Sequence, residues 1–315
     1  MKRAIVLSTI ALLFARALLP ATIRVPQDKQ SISLAIEAAL NGDTVLVAPG
    51  IYHTYPGIDI IGKAVHVIGS GGAEVTTIQN WPTPPYPESG SYAFRIQSTP
   101  GPCTIEGFTM CHHVAGDMGM NNFTILVDSA IVTIAHNRFV LNNYSYVIEI
   151  WSSPSVEIEG NLFYDNSAIA INAYSAFDLA IRSNTFSNPG KWQIYARTIN
   201  GFLTISNNII VDGFRGIVTS CPAGNITCTC NDVWNNDINY DGTLGDQAGT
   251  NGNISANPLF CGIPHSGNFF LQGPSPCAAA NVPAPCGGIG MGAYPASCSV
   301  DVKKSSWGDV KKIYR

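Results

Sequence analysis

Four segments of this 315-residue chain bring carboxylates, aromatic rings and a guanidinium to matching positions: Ile125-Leu-Val-Asp128, Ile148-Glu-Ile-Trp151, Ile171-Asn-Ala-Tyr174 and Ile194-Tyr-Ala-Arg197. Side chains along a strand point alternately to opposite faces. If the Ile, Val and Ala residues face inward, two outward rows remain: Leu126, Glu149, Asn172, Tyr195, and Asp128, Trp151, Tyr174, Arg197. Flat rings bury the apolar faces of sugars while polar groups fix their orientation. Trp151, Asn172, Tyr174 and Tyr195 are therefore candidate substrate-binding residues for a glycan, and the ~4.8 Å step between strands suits an extended polymer. Asp128 and Glu149, diagonal on adjacent strands, are candidate catalytic carboxyls with Arg197; a gap of ~6.5 to 9.5 Å would suit inverting hydrolysis. Alternatively the two acids bind Ca2+ through oxygen and Arg197 serves a lyase reaction. The plainer reading is a solvent face that carries Tyr and Trp for their strand propensity.

A repeat must position these rows. Ile134-Ala-His-Asn-Arg-Phe139, Ile158-Glu-Gly-Asn-Leu-Phe163, Ile181-Arg-Ser-Asn-Thr-Phe186, Ile205-Ser-Asn-Asn-Ile-Ile210 and Cys228-Thr-Cys-Asn-Asp-Val233 share one pattern, foreshadowed by Ile105-Glu-Gly-Phe-Thr-Met110. The Asn at 137, 161, 184, 208 and 231 recurs every 23 or 24 residues. A unit this short cannot close its own core, so copies must stack. Asn tolerates the left-handed backbone of a sharp corner, and stacked amides can bond to the same residue one coil away. The flanking Ile and Phe then point inward. The leucine-rich consensus of solenoids with similar period is absent.

The ends and insertions differ from this pattern. Lys2-Arg3, the apolar run Ala4 to Phe14 and Pro20-Ala21 read as a signal peptide over residues 1–21. No segment is long enough to span a bilayer, so a secreted or cell-surface protein without a transmembrane segment is expected. Ser31 to Leu40, with Ile32, Ile36 and Leu40 on one face and Gly42 after them, predicts a capping helix. Residues 257–298, rich in Pro, Gly and Cys, are expected to wrap the last coil, and 299–315 form a tail in which Trp307, Val310 and Tyr314 share a helical face.

Insertions at 81–90 and between 105 and 134 leave the same region of the stack and could wall a groove. His112, His113, Asp117 and His136 near the second could hold a metal, although loop histidines are mostly solvated. Nine cysteines, five of them from Cys230 onward (Cys230, Cys261, Cys277, Cys286 and Cys298), suggest disulfides with at least one thiol left over. Asn122, Asn143, Asn225 and Asn253 begin glycosylation sequons. Charged residues make up 12% of the chain, and a net charge of −4 leaves no basic stripe for nucleic acid.

Val25-Pro26, Gly42-Asp-Thr-Val-Leu-Val-Ala-Pro-Gly-Ile-Tyr52, Gly62-Lys-Ala-Val65, Asn257-Pro-Leu-Phe260 and Ile289-Gly-Met-Gly-Ala-Tyr294 resemble the opening and closing coils of secreted proteins of the pectate-lyase-like superfamily, over roughly residues 23 to 298. The resemblance implies an all-β fold, a single-stranded right-handed parallel β-helix. It implies less about activity, because the superfamily holds lyases, hydrolases, epimerases and members without chemistry. Neither a paired Asp-Asp of the polygalacturonase type nor an Asp-x-His of the epimerase type occurs here. Two functions follow as expectations: a carbohydrate-binding or carbohydrate-active protein acting on an extracellular polysaccharide as a lyase or glycoside hydrolase, or a non-catalytic adhesive scaffold.

Overall fold

The structure, a computed structural model, describes residues 19–298 other than 55, 80–91, 112–122, 144, 189 and 263–266. Most of the expected signal segment, the tail, the insertion at 81–90, His112, His113, Asp117 and the Asn122 sequon lie outside the described residues.

Coil after coil, the chain lays strands into three parallel sheets, of nine, eight and eight strands among the described residues. The first sheet runs from Thr22–Val25 to Ile226–Thr229, the second from Gly50–His53 to Asp232–Trp234, and the third from Ile58–Ile61 to Ile238–Gly242. Ile105, Ile134, Ile158, Ile181 and Ile205 pair in that order down the first sheet, and all are fully buried. On the second sheet the rings of Phe139, Phe163 and Phe186 stack at centroid spacings of 4.7 Å. The inward assignments made from alternation are therefore correct.

The recurring Asn forms the expected column, and it does more than tolerate a corner. Each backbone N–H donates to the side-chain Oδ1 of the Asn one coil on, from Asn137 through Asn161, Asn184, Asn208 and Asn231 to Asn253, at 2.9 to 3.0 Å. Each Nδ2 from 137 to 231 donates back to the carbonyl of a core residue on the preceding coil, Ile105, Ile134, Ile158, Ile181 and Ile205 in turn. The left-handed residue is not the Asn itself. It is the one before: His136, Gly160, Ser183, Asn207 and Cys230, with φ between 52° and 64°, and Gly107 holds the same corner before Phe108 on the coil where the Asn column has not yet begun. That residue turns the chain, and the Asn amide satisfies the polar groups that the turn would otherwise strand in the interior. A second, shorter column, Asn142, Asn166 and Asn188, serves the next corner in the same way.

A helix at Ile32–Ala38, with Ser31 as its N-cap, buries Ile32, Ala35 and Ile36 against the first strands of the first and third sheets. It stops before Leu40, which is 56% exposed: Ala39 is already extended, so the expected i+8 position falls off the apolar stripe.

The segment after Asn257 reaches further than the last coil. It folds back over the outer face of the second sheet, where Leu271, Cys277 and Met291 join Ile209 and Val211 in a second apolar cluster. The Gly292 N–H donates to the Asn207 carbonyl at 2.7 Å and the Ala293 N–H to Thr185 Oγ1 at 2.9 Å. Disulfides join Cys230 to Cys286 and Cys261 to Cys298. Cys103, Cys111, Cys221, Cys228 and Cys277 are buried thiols. Beneath the segment, fully buried Asp232 accepts from the Ala256 N–H at 3.0 Å and the Cys277 thiol at 3.1 Å. Burial outweighs both donors and lifts the Asp232 carboxyl to about 6, and burial also raises the Cys277 thiol.

Asn184→Leu strands the Asn161 N–H and the Ile158 carbonyl in the interior and should cost roughly 3 kcal/mol or more. Removing an exposed ion-pair partner, as in Glu157→Ala, should cost less than about 1 kcal/mol. Chemical denaturation of the two variants checks the contrast. Because the folded Asp232 binds its proton more tightly than the unfolded one, its contribution to stability is greatest below the unfolded value of 3.8 and declines as pH rises to about 6. Asp232→Asn should flatten that slope, gaining up to about 2 to 3 kcal/mol on the parent at pH 7 relative to pH 4. Parallel melting curves across this range would reveal an unchanged slope if the assignment is wrong.

Candidate functional site

The third sheet carries the residues singled out by their spacing. Leu126, Glu149, Asn172 and Tyr195 are successive register partners, as are Asp128, Trp151, Tyr174 and Arg197. Each strand of the second row ends at a left-handed corner residue, Ser129, Ser152, Ser175 or Thr198.

Outward direction does not amount to exposure. Trp151 and Tyr174 are 46% and 50% exposed, whereas Glu149 is 8% and Asn172 1%. Leu126 is buried with Tyr92 and Phe123. The middle row is shaded because longer side chains stand on both sides of it: Trp151, Tyr174 and Arg197 on one, and a third outward row on the other. In that third row Phe123 pairs with Tyr146, Tyr146 with Ile169, and Trp192 with Arg215. Sequence alternation missed it because the strands kink between this row and the next, so period two breaks there.

The two rows first identified are tied together. The Trp151 indole Nε1–H donates to Glu149 Oε1 at 3.1 Å. Asn172 also bonds to the Glu149 carboxylate, and its Oδ1 accepts from Arg197 Nη2 at 3.4 Å. Burial raises the Glu149 pKa above the ordinary carboxylate value, against the pull of Trp151, Asn172 and the Arg197 charge. Asp128 has its own partners, accepting from Gln97 Nε2 at 3.2 Å and Ser129 Oγ at 2.9 Å.

Arg197 lies between two rings, its Cζ 4.5 Å from the Tyr195 centroid and 5.4 Å from that of Tyr174. Its Nε is buried without a hydrogen-bond partner. The other described arginines, Arg24, Arg95, Arg138, Arg182 and Arg215, each hold a carboxylate. Arg197 has no such ion pair among the described residues. Trp192 meets Tyr195 edge-on at 4.8 Å, and beyond the corner Phe177 and Phe202 add two more exposed rings. Tyr146, Ile169, Trp192 and Arg215 recur every 23 residues, but the row mixes residue types and so does not stand out, and Phe177 and Phe202 lie just outside the strands.

The remaining candidates separate from this face. His136 sits at a corner of the first sheet and bonds to Glu106 at 3.2 Å. Among the described residues no group of three His, Cys, Asp or Glu could hold a metal ion. Asn253 is buried in the amide column, and Asn225 Nδ2 is bound to the Gly201 carbonyl, so these two sequons are structural. Asn143 is exposed.

Residues 63–257, more than half of the chain, match the family model described as the right handed beta helix region. The chain belongs to the right-handed β-helix family. No curated protein matches it. In a β-helix the coils form a rigid frame, and a functional face is made by what the outward rows carry. Here the third sheet offers half-exposed rings in register, a guanidinium without an ion pair among the described residues, and a shaded carboxyl with a raised pKa.

If Glu149 holds the Trp151 indole, the Nε1–H resonance of Trp151 should move with pH, with a midpoint raised above the ordinary glutamate value. In Glu149→Gln it should be pH-independent. A two-dimensional 15N spectrum recorded along a pH series reads both.

Proposed function

We propose that the outer face of the third sheet binds an extended extracellular polysaccharide bearing anionic groups. The observation that carries this reading is the pair of rings, Trp151 and Tyr174, each about half exposed on adjacent coils in one register row. Soluble proteins seldom leave large rings clustered on a sheet without a partner for them. Such rings can stack on successive sugars. Tyr195 and Asn172 shape the floor, and Arg197 supplies a charge for an acidic substituent. Export is consistent with two disulfides and with no described helix being long and apolar enough to cross a membrane.

The raised pKa of Glu149 favours a second reading, in which the same face cleaves the polymer with Glu149 as general acid and Asp128 as its partner. An adhesive scaffold without a glycan ligand is the outcome if no polymer binds.

The test is a binding and turnover screen against uronate-containing, sulfated and neutral polysaccharides, with and without Ca2+, read by calorimetry, ultraviolet absorbance and reducing ends. Trp151→Ala and Tyr174→Ala should each weaken binding by about 1 to 3 kcal/mol, and Arg197→Gln should erase the preference for acidic over neutral polymers. Unchanged affinity in both aromatic variants would remove the site from this face. Under the second reading Glu149→Gln loses turnover and keeps affinity.

A further inference from the structure

The C-terminal segment does not close fully onto the second sheet. Where it meets Glu74 and Arg138 it leaves a cleft of about 1210 Å³, large against the ~300 to 1,000 Å³ of ordinary ligand pockets. One wall belongs to the coils. Arg138 is ion-paired with Glu74 and reaches the Gly267 carbonyl only at 3.5 Å, and its Nε is buried without a hydrogen-bond partner.

The opposite wall is a small sheet of the C-terminal segment. Phe260 bridges Leu271 antiparallel, and Leu271 bridges Ala296 in parallel. Phe269 and Leu271 turn inward and are buried, so alternation sends Asn268, Phe270 and Gln272 toward the cleft, and all three line it. Phe270 is braced by the Tyr294 ring at 4.8 Å. Gln272 spends its Nε2 on the Phe260 carbonyl at 2.9 Å and presents its Oε1 as an acceptor. The Cys261–Cys298 disulfide pins the rim.

We propose that this cleft is a second ligand site, independent of the third-sheet face, that takes a short neutral oligosaccharide. A ring flanked on each side by an amide can hold the apolar face of a sugar while its hydroxyls are bonded. Across from it, the exposed Glu74 carboxylate accepts from hydroxyls, and Arg138, whose Nε is enclosed, holds that carboxylate in place by their ion pair. Because Glu74 and Arg138 neutralise each other, the wall has no net charge with which to select an anion. The two sites therefore prefer different ligands on different faces of one rigid stack.

Calorimetry of the full chain with maltotriose, cellotriose and chitotriose, and with trigalacturonate as the acidic counterpart, tests this. At least one neutral trisaccharide should bind, and more tightly than trigalacturonate. Phe270→Ala and Glu74→Gln should each weaken that binding about tenfold or more, while Trp151→Ala leaves it unchanged. Because Phe270 also braces Tyr294, Gln272→Ala at an exposed position serves as the variant that keeps the fold, with a several-fold loss expected. Absence of binding by all three neutral sugars, tighter binding of the acidic one, unchanged affinity in Glu74→Gln and Gln272→Ala, or loss in Trp151→Ala would each overturn the proposal.

Discussion

The buried amide column is the interaction on which the rest of the structure depends. A coil that turns sharply at a left-handed residue leaves a backbone N–H and a carbonyl pointing into the interior, where neither can reach water. The Asn that follows answers both needs with one side chain, accepting from the coil before it and donating to that coil's core carbonyl. A slip of one residue between coils would break this exchange and turn each Ile of the core outward. Register is thus fixed at the corner by polar bonds and along the strand by apolar packing, and the two agree. The outward rows of the third sheet inherit their alignment from that agreement.

Much of this was legible because it repeats. The Asn period, the inward Ile and Phe, and the membership of the two outer rows all follow from spacing and alternation. What did not repeat was hidden. The corner residues Gly160, Ser183, Asn207 and Cys230 share a backbone conformation and no side-chain type, so the eye falls on the Asn next to them. The second Asn column was visible five residues after the first, at 142, 166 and 236, but it shifts to 188 in one coil and yields to Gly213 in another. Burial of Glu149 and Asn172 depends on the length of neighbours in adjoining rows, which alternation along one strand cannot register. Four of the five late cysteines form disulfides. The fifth, Cys277, meets a buried Asp232 that lies 45 residues away in sequence, a contact that no spacing announces.

The non-repeating C-terminal segment is held by different physics from the coils. It has few strand pairings and depends on two disulfides, a small apolar cluster and isolated bonds to corner groups such as the Asn207 carbonyl. The buried carboxyl beneath it makes its attachment sensitive to pH, while the amide columns contain no titrating group. The segment's attachment is therefore strongest in mild acid, where Asp232 is protonated, whereas the amide columns carry no charge for acid to change.

The three outer faces also differ in composition, in a way that supports the binding face proposed on the third sheet. On the first sheet the outward residues are largely Thr and charged groups that pair with one another, as Glu157 does with Arg182 at 2.6 Å. That is the ordinary composition of a solvated surface. On the second sheet Leu162, Ile209 and Val211 face outward, and they are covered: all three are buried, the latter two beneath Leu271 and Met291. The chain thus carries its own lid for apolar surface and uses it there. On the third sheet Trp151 and Tyr174 remain half exposed beside a guanidinium that has no ion pair among the described residues. Rings that packing alone could have replaced by Thr or Val, on the face that the C-terminal cover does not serve, are not required by the stability of the stack, and it is on this that the proposed binding role rests.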